Sequence, residues 1–231
     1  MGFINIDRRW RELTILLVLV CLTTPIFWLT DLDLKVASLF YQSSQGNNPW
    51  PMKDWWLWHF FYQHAFSFTW IAAIGAFITV LLSYFLPKAQ SFRRSAIYLL
   101  LVIALGPGVV VNLVFKDNWG RPRPAQITEF GGPHQYIPPL QIGHTGEKSF
   151  TCGHCSVGFA FFALYFLSRK RKVFYFALTV IFGLTLGLTR MSAGGHFLSD
   201  ILWSGYLVFF VDWLVYYGWY ERSNKGAFKN S

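Results

Sequence analysis

Six long runs of apolar residues restrict the fold of this 231-residue chain more than any other feature. A helix needs about 20 apolar residues to cross a bilayer, and most of the runs approach that length. Charged residues are scarce, at 13% of the chain, where a soluble domain carries about 25%. We therefore predict an all-α integral membrane protein, one domain over residues 1–231, folded as a six-transmembrane-helix bundle. The runs are residues 13–29, 66–86, 96–115, 154–167, 173–189 and 198–217.

The fourth run is the weakest of the predicted spans. It has 14 residues, so it needs part of its N-terminal flank to cross the bilayer, or must lie inside the bundle. We predict that, with this flank, it forms the fourth span.

The basic residues predict the orientation of the bundle, because Lys and Arg collect on the cytoplasmic side of a membrane. With the N-terminus inside, 13 basic residues fall on the inner side and 7 on the outer side. Both termini are therefore predicted to be cytoplasmic. The 7 outer basic residues need an explanation other than topology.

Three segments with reactive side chains are predicted to meet on the outer side. They are residues 116–123 after the third run, 152–154 before the fourth, and 190–200 between the fifth and sixth. An even number of crossings separates them, so a helical bundle can bring them together. The sequence therefore predicts an active site at the outer membrane–water interface.

Three basic side chains in these segments are candidates for binding a tetrahedral dianion. Guanidinium groups, as in Arg123 and Arg190, match phosphate oxygens in a bidentate manner, whereas the ammonium of Lys116 acts as a point charge. This combination favours a specific anion site over a general basic surface.

Two histidines in these segments are candidates for phosphoryl transfer. His196 and Asp200 are four residues apart, so at a helix start the carboxylate can hold the imidazole in one tautomer. The other ring nitrogen of His196 could then attack phosphorus. Gly194 and Gly195 leave no side chain between the backbone and an incoming phosphate. His154 could protonate the leaving oxygen and then activate water.

These residues stand in three signatures that resemble those of the type 2 phosphatidic acid phosphatase (PAP2) superfamily. The first, Lys-x6-Arg-Pro, is complete from Lys116 to Pro124. The third, Ser-Arg-x5-His-x3-Asp, ends in Arg190, His196 and Asp200, with Thr189 in place of Ser. The second, Pro-Ser-Gly-His, reads Thr151-Cys152-Gly153-His154 here. The resemblance covers roughly residues 66–217, and Leu198 replaces a common family Pro.

The resemblance implies a phosphatase that needs no metal or other cofactor and forms a phosphohistidine intermediate. In this implication His196 is the nucleophile, Asp200 orients it, and His154 is the general acid and then the general base. The residues implied to contact the phosphoryl group are Lys116, Arg123, Arg190, Cys152 and Gly153. A thiol at Cys152 donates hydrogen bonds more weakly than the family's hydroxyl.

The resemblance also implies a substrate, a lipid phosphomonoester or diphosphate taken from the bilayer. The compact form and the Gly-Gly-His-Phe-Leu-Ser-Asp stretch favour the bacterial lipid A phosphatases. This would place the protein in a bacterial inner membrane with its site facing the periplasm. No nucleic-acid partner is expected. The oligomeric state is open, because Gly183 and Gly187 could pack helices within or between chains.

Other hypotheses remain open at this stage. The same site could serve a lipid phosphotransferase, or Cys152 and Cys155 could serve a membrane thiol-disulfide oxidoreductase or form a disulfide within a phosphatase. A zinc site from His144, Cys152, His154 and Cys155 is conceivable on ligand types. A zinc finger is excluded, because the His pair that should follow the second Cys by about twelve residues is missing.

An aromatic segment completes the predicted outer face. Residues 30–65 are predicted to be an outer loop, and its Trp and Tyr rings favour the headgroup layer of the membrane. The loop would anchor the protein or cover the substrate. Its aromatic residues are Trp50, Trp55, Trp56, Trp58, Phe60, Phe61 and Tyr62.

Overall fold

Helices form the regular structure of residues 7–43 and 48–222, the part of the chain that the computed structural model describes, and no β-strand occurs in these ranges. The prediction of an all-α protein is therefore confirmed. In chain order the helices are α1 (Arg8–Leu29), α2 (Leu32–Ser38), α3 (Trp56–Leu82), α4 (Pro87–Gln90), α5 (Arg93–Ile103), α6 (Gly153–Phe159), α7 (Phe162–Leu167), α8 (Lys172–Met191) and α9 (Leu198–Val215).

Five of the described helices are long and apolar enough to cross a membrane: α1, α3, α5, α8 and α9. Helix α5 reaches that length only by continuing with π-helical geometry from Ala104 to Lys116, and α9 is extended in the same way from Tyr216 to Tyr220. Pro107 lies within the first of these continuations and cannot donate the hydrogen bond of a regular α-helical turn. The continuation ends at Lys116. It therefore determines where the Lys116 side chain leaves the end of the helix.

The predicted fourth span is divided into two short helices, α6 and α7. Together they cover Gly153–Leu167, about 22 Å at the rise of an α-helix, against a hydrocarbon core about 30 Å thick. Most of α6 is buried, and it packs against α3, α8 and α9. The sixth crossing therefore stays a prediction.

Helix α9 lies at the centre of the bundle, in contact with α1, α2, α5, α6, α7 and α8. Glycines let the neighbouring helices approach closely. A Cβ atom at Gly183 would lie 2.3 Å from the ring of Phe159, and one at Gly187 would lie 2.7 Å from Ile201. These two glycines of α8 therefore make packing contacts inside the chain.

The outer surface of the bundle is apolar, as expected for contact with lipid. Large side chains such as Leu22 on α1, Ile71 on α3 and Val173 on α8 are more than half exposed. Exposing such a surface to water is unfavourable, whereas lipid tails solvate it. The chain is thus an integral membrane protein.

Helix α3 begins earlier than its apolar run predicts. The predicted loop over residues 30–65 is wrong for α2 and for residues 56–65, which form the first turns of the 27-residue helix α3. No proline interrupts this aromatic stretch, so the helix propagates through it. At about 40 Å, α3 exceeds the hydrocarbon thickness and carries Tyr62 alongside the predicted site.

Candidate active site

The three predicted segments meet at one end of the bundle. Lys116 ends the continuation of α5, Gly153 begins α6, and Asp200 lies in the first turn of α9. A Cβ atom at Gly153 would lie 3.2 Å from Nζ of Lys116. The cations Lys116, Arg123 and Arg190 lie close enough to His154 to act on it electrostatically, and the ring of His196 is also a near neighbour. The structure therefore brings together the histidines and cations that the sequence singled out.

In the described parts of the chain, the three cations are not paired with a protein anion. Within residues 7–43 and 48–222, neither Lys116, Arg123 nor Arg190 makes an ion pair with a carboxylate. The Nε atoms of both arginines are buried without a hydrogen-bond partner. Like charges held together away from water are unfavourable unless an anion joins them. The arrangement indicates a site for a multiply charged anion such as a phosphate group.

His196 is held as a neutral ring with one nitrogen free. Its Nδ1 lies 2.7 Å from the carbonyl oxygen of Ser149, and because a carbonyl can only accept, Nδ1 carries the proton. Nε2 is then unprotonated. Burial lowers the pKa of His196 to about 4, against the opposing effect of Asp200. The ring is therefore neutral at ordinary pH, the state that a nucleophile requires.

Asp200 acts on His196 less directly than its spacing suggests. Its Oδ2 is 3.6 Å from Nδ1 of His196, beyond hydrogen-bond distance. The same oxygen accepts hydrogen bonds from Oγ of Ser149 at 2.6 Å and from the backbone N–H of Phe197 at 2.8 Å. Asp200 therefore fixes Ser149, and the carbonyl of Ser149 fixes the histidine. Spacing alone gave no sign of Ser149.

A buried arginine, Arg121, joins this network and was assigned no role from the sequence. Its guanidinium pairs with Asp200 and with Asp33, at 2.8 Å for the latter, and all three side chains are fully buried. Burial alone would lower the pKa of Arg121, but Asp200 and Asp33 together raise it, so the group stays charged. The position of Arg121 between Lys116 and Arg123 was the one sequence feature that could have suggested its role. Nothing in the sequence indicated Asp33, which lies in the distant helix α2.

The general-acid candidate His154 is held differently from His196. Its ring nitrogens make no hydrogen bond to any residue in the described ranges. Instead, the ring of Tyr62 stacks on it with centroids 4.7 Å apart, and Phe66 meets it edge-on at 4.9 Å. The guanidinium of Arg190 also lies over the Tyr62 ring, 4.7 Å from its centroid. Sequence reasoning placed Tyr62 in an outer loop and missed these contacts.

Cys152 and Cys155 form a disulfide at the start of α6, and both are fully buried. In this state Cys152 has no thiol hydrogen to donate, so the implied thiol contact to phosphate is not available. The predicted zinc site needs both sulfurs as thiolates, and in the disulfide neither sulfur is a thiolate. The described residues also contain no group of three or more side chains placed to hold a metal ion. Full burial also keeps both sulfurs from a partner thiol, which disfavours the oxidoreductase hypothesis.

Gly195 gives a test of the site that leaves its reactive groups intact. A Cβ atom there would lie 2.6 Å from Nη2 of Arg190, the mobile end of that side chain. We expect Gly195→Ala to displace the guanidinium and lower phosphatase activity about 100-fold, since small misplacements carry such costs. Thermal unfolding should change much less than activity, because the closest backbone contact of this Cβ is the carbonyl oxygen of Arg190 at 3.2 Å. Gly75→Ala on α3, where a Cβ meets nothing within 4 Å, is the control and should keep full activity; equal activities of the two variants would contradict the prediction.

The helices and this site define the class of protein: a helical integral membrane protein with a candidate anion site, in which two histidines and three cations lie at one end of the bundle. Comparison with known proteins gives the family. The model of the PAP2 superfamily matches residues 95–224, more than half of the chain. The chain belongs to the PAP2 superfamily. This confirms the family, and with it the phosphatase class, expected from the three signatures.

Similar curated proteins are lipid A phosphatases. The chain is 39% identical to a lipid A 4'-phosphatase of Francisella tularensis subsp. novicida over 90% of this chain and 96% of that protein. A lipid A 4'-phosphatase of Rhizobium leguminosarum is 33% identical, and a lipid A 1-phosphatase of Rhizobium johnstonii is also 33% identical. These two matches cover 47% and 50% of this chain and 48% and 45% of the relatives. No solved structure gives a significant match.

Proposed function

We propose that the protein hydrolyses a phosphate ester of lipid A, at the 4'-position, through a phosphohistidine on His196 and without a metal ion. The observation that carries the proposal is the neutral His196 among three cations that have no carboxylate partner in the described parts of the chain. The choice of lipid rests on the relative from Francisella, which is similar over nearly its whole length.

The proposed reaction has two steps, each of which balances. Nε2 of His196 attacks phosphorus, the ester P–O bond breaks, and the departing sugar oxygen takes a proton from the imidazolium form of His154, which the bound phosphate dianion stabilises. His154 then removes a proton from water, whose oxygen attacks phosphorus as the P–N bond breaks. Inorganic phosphate leaves and both histidines return to their starting states. Lys116, Arg123 and Arg190 offset the charge on the phosphoryl oxygens, the main requirement of such transfers.

The proposal includes a location for this chemistry. A site at the outer membrane–water interface of a bacterial inner membrane would face the periplasm, and a lipid could enter it from the bilayer. α6 and α7 would complete a sixth crossing and leave both termini in the cytoplasm. The single domain would extend over residues 1–231, although residues 1–6, 44–47 and 223–231, with the tail lysines Lys225 and Lys229, lie outside the described parts.

The function is tested by phosphate release from a panel of lipid phosphates. The detergent-purified protein is incubated in EDTA with lipid A, undecaprenyl diphosphate, phosphatidylglycerol phosphate and phosphatidic acid. We expect release from lipid A, with mass spectrometry placing the loss at the 4'-position. Recovery of the phosphate in water separates a hydrolase from a phosphotransferase, which would move it to a second lipid. Preference for a glycerolipid would overturn the choice of substrate, and loss of activity in EDTA would overturn the metal-free mechanism.

A further inference from the structure

We propose that Tyr62, supported by Phe66, is a positioning residue that holds the general acid His154 and the phosphate-binding Arg190 in place for the reaction. The inference rests on the proposed function, because it assigns a role within that site. Both aromatic residues lie on α3, outside the three signatures and outside residues 95–224 that match the family.

The first step of the argument is the difference between the two histidines. His196 is fixed by a hydrogen bond from Nδ1 to Ser149. His154 has no hydrogen bond in the described part of the chain, so its orientation depends on ring contacts. The ring of Tyr62 stacks on the imidazole nearly in parallel, with 13° between the two planes. The ring of Phe66 meets the imidazole edge-on, with 72° between the planes. A stack of this kind fixes the plane of the imidazole and leaves its nitrogens free to exchange protons.

The second step concerns Arg190. No carboxylate among the described residues pairs with its guanidinium, and its buried Nε has no hydrogen-bond partner. The face of Tyr62 is 4.7 Å from the guanidinium carbon, a distance at which an aromatic ring attracts a cation. Because the ring carries no full charge, it can hold Arg190 without neutralising it. An aspartate in the same place would compete with the phosphate.

The third step is the geometry of α3. Tyr62 and Phe66 are four residues apart and so share one face of the helix. Because α3 begins at Trp56, this face is presented to α6, which carries His154, and to α8, which carries Arg190. One ring therefore contacts both a proton-transfer group and a phosphate-binding group, and it sets their relative positions.

The test is rapid-quench single-turnover kinetics with lipid A labelled in its phosphate. Loss of label from the 4'-position of the lipid reports formation of the phosphoenzyme, and appearance of free labelled phosphate reports its hydrolysis; His154 acts in both steps. We expect Tyr62→Leu to slow both rate constants about tenfold, the upper range for a lost ring contact, and to raise KM in a parallel steady-state assay. Tyr62→Phe keeps the ring and should recover both rates to within about twofold of the wild type.

Controls separate positioning from folding. Phe60→Leu removes a ring from the same helix that is similarly exposed, 45% against 41% for Tyr62, and should leave both rates unchanged. A purely structural role for Tyr62 would reduce the amplitude, which counts folded enzyme, and spare the rate constants. That result, or a Tyr62→Phe variant as slow as Tyr62→Leu, would overturn the inference. A wild type that releases no label would instead overturn the proposed function.

Discussion

Replacing His196 with asparagine is expected to abolish phosphate release, with a loss on the order of 10⁴- to 10⁶-fold, the range found when a covalent nucleophile is removed. The amide can still donate to the carbonyl of Ser149, so the fold around the site should survive, but no unprotonated ring nitrogen remains. The measurement is phosphate release together with trapping of labelled phosphate on the protein after an alkaline SDS quench. The wild type should carry an acid-labile, alkali-stable label.

Two further variants make this result specific. His59→Asn changes an exposed histidine of α3 and should label and turn over like the wild type. His154→Asn keeps the nucleophile, so it should become labelled slowly and lose the label slowly, because the same ring serves as acid and base. Labelling of His196→Asn at the wild-type rate would refute the assignment of the nucleophile.

Replacing Arg121 with methionine is expected to destabilise the protein by about 3–5 kcal/mol, the usual cost of leaving a buried charge without its partner. The substitution leaves Asp33 and Asp200 facing each other with no cation between them. The measurement is unfolding of the detergent-solubilised protein, followed by activity at a temperature where the variant is folded. We expect activity to fall as well, because Asp200 would no longer be held against Ser149.

An exposed ion pair in the same protein is the matched control. Lys148 pairs with Asp117 at 2.7 Å, but both side chains are 42% or more exposed. Lys148→Met should therefore cost less than about 1 kcal/mol. Adding Asp33→Asn to Arg121→Met removes one of the two stranded charges and should recover part of the lost stability. Equal stability of Arg121→Met and Lys148→Met would show that the buried network does not support the fold.

The spans were largely predictable because crossing a bilayer demands a long local run of apolar residues. Such a run is visible without knowing any contact, and five of the six runs became long apolar helices. The two predictions that failed or stayed open concern segments whose structure depends on the helices packed around them. The fourth run became α6 and α7 because its residues are buried among other helices and need not span lipid alone. The start of α3 was missed because aromatic residues suit both an interfacial loop and a helix.

The sequence by itself determined that this is an apolar helical protein and which side chains, among them Lys116, His154 and His196, could perform phosphoryl transfer. Residue type and local spacing suffice for that, because they specify chemistry and position on a helix. Only the tertiary structure decided how those side chains are held. The Arg121–Asp33 pair joins positions 88 residues apart, and Tyr62 reaches His154 from another helix. Such contacts depend on how helices pack, and local spacing carries no record of them.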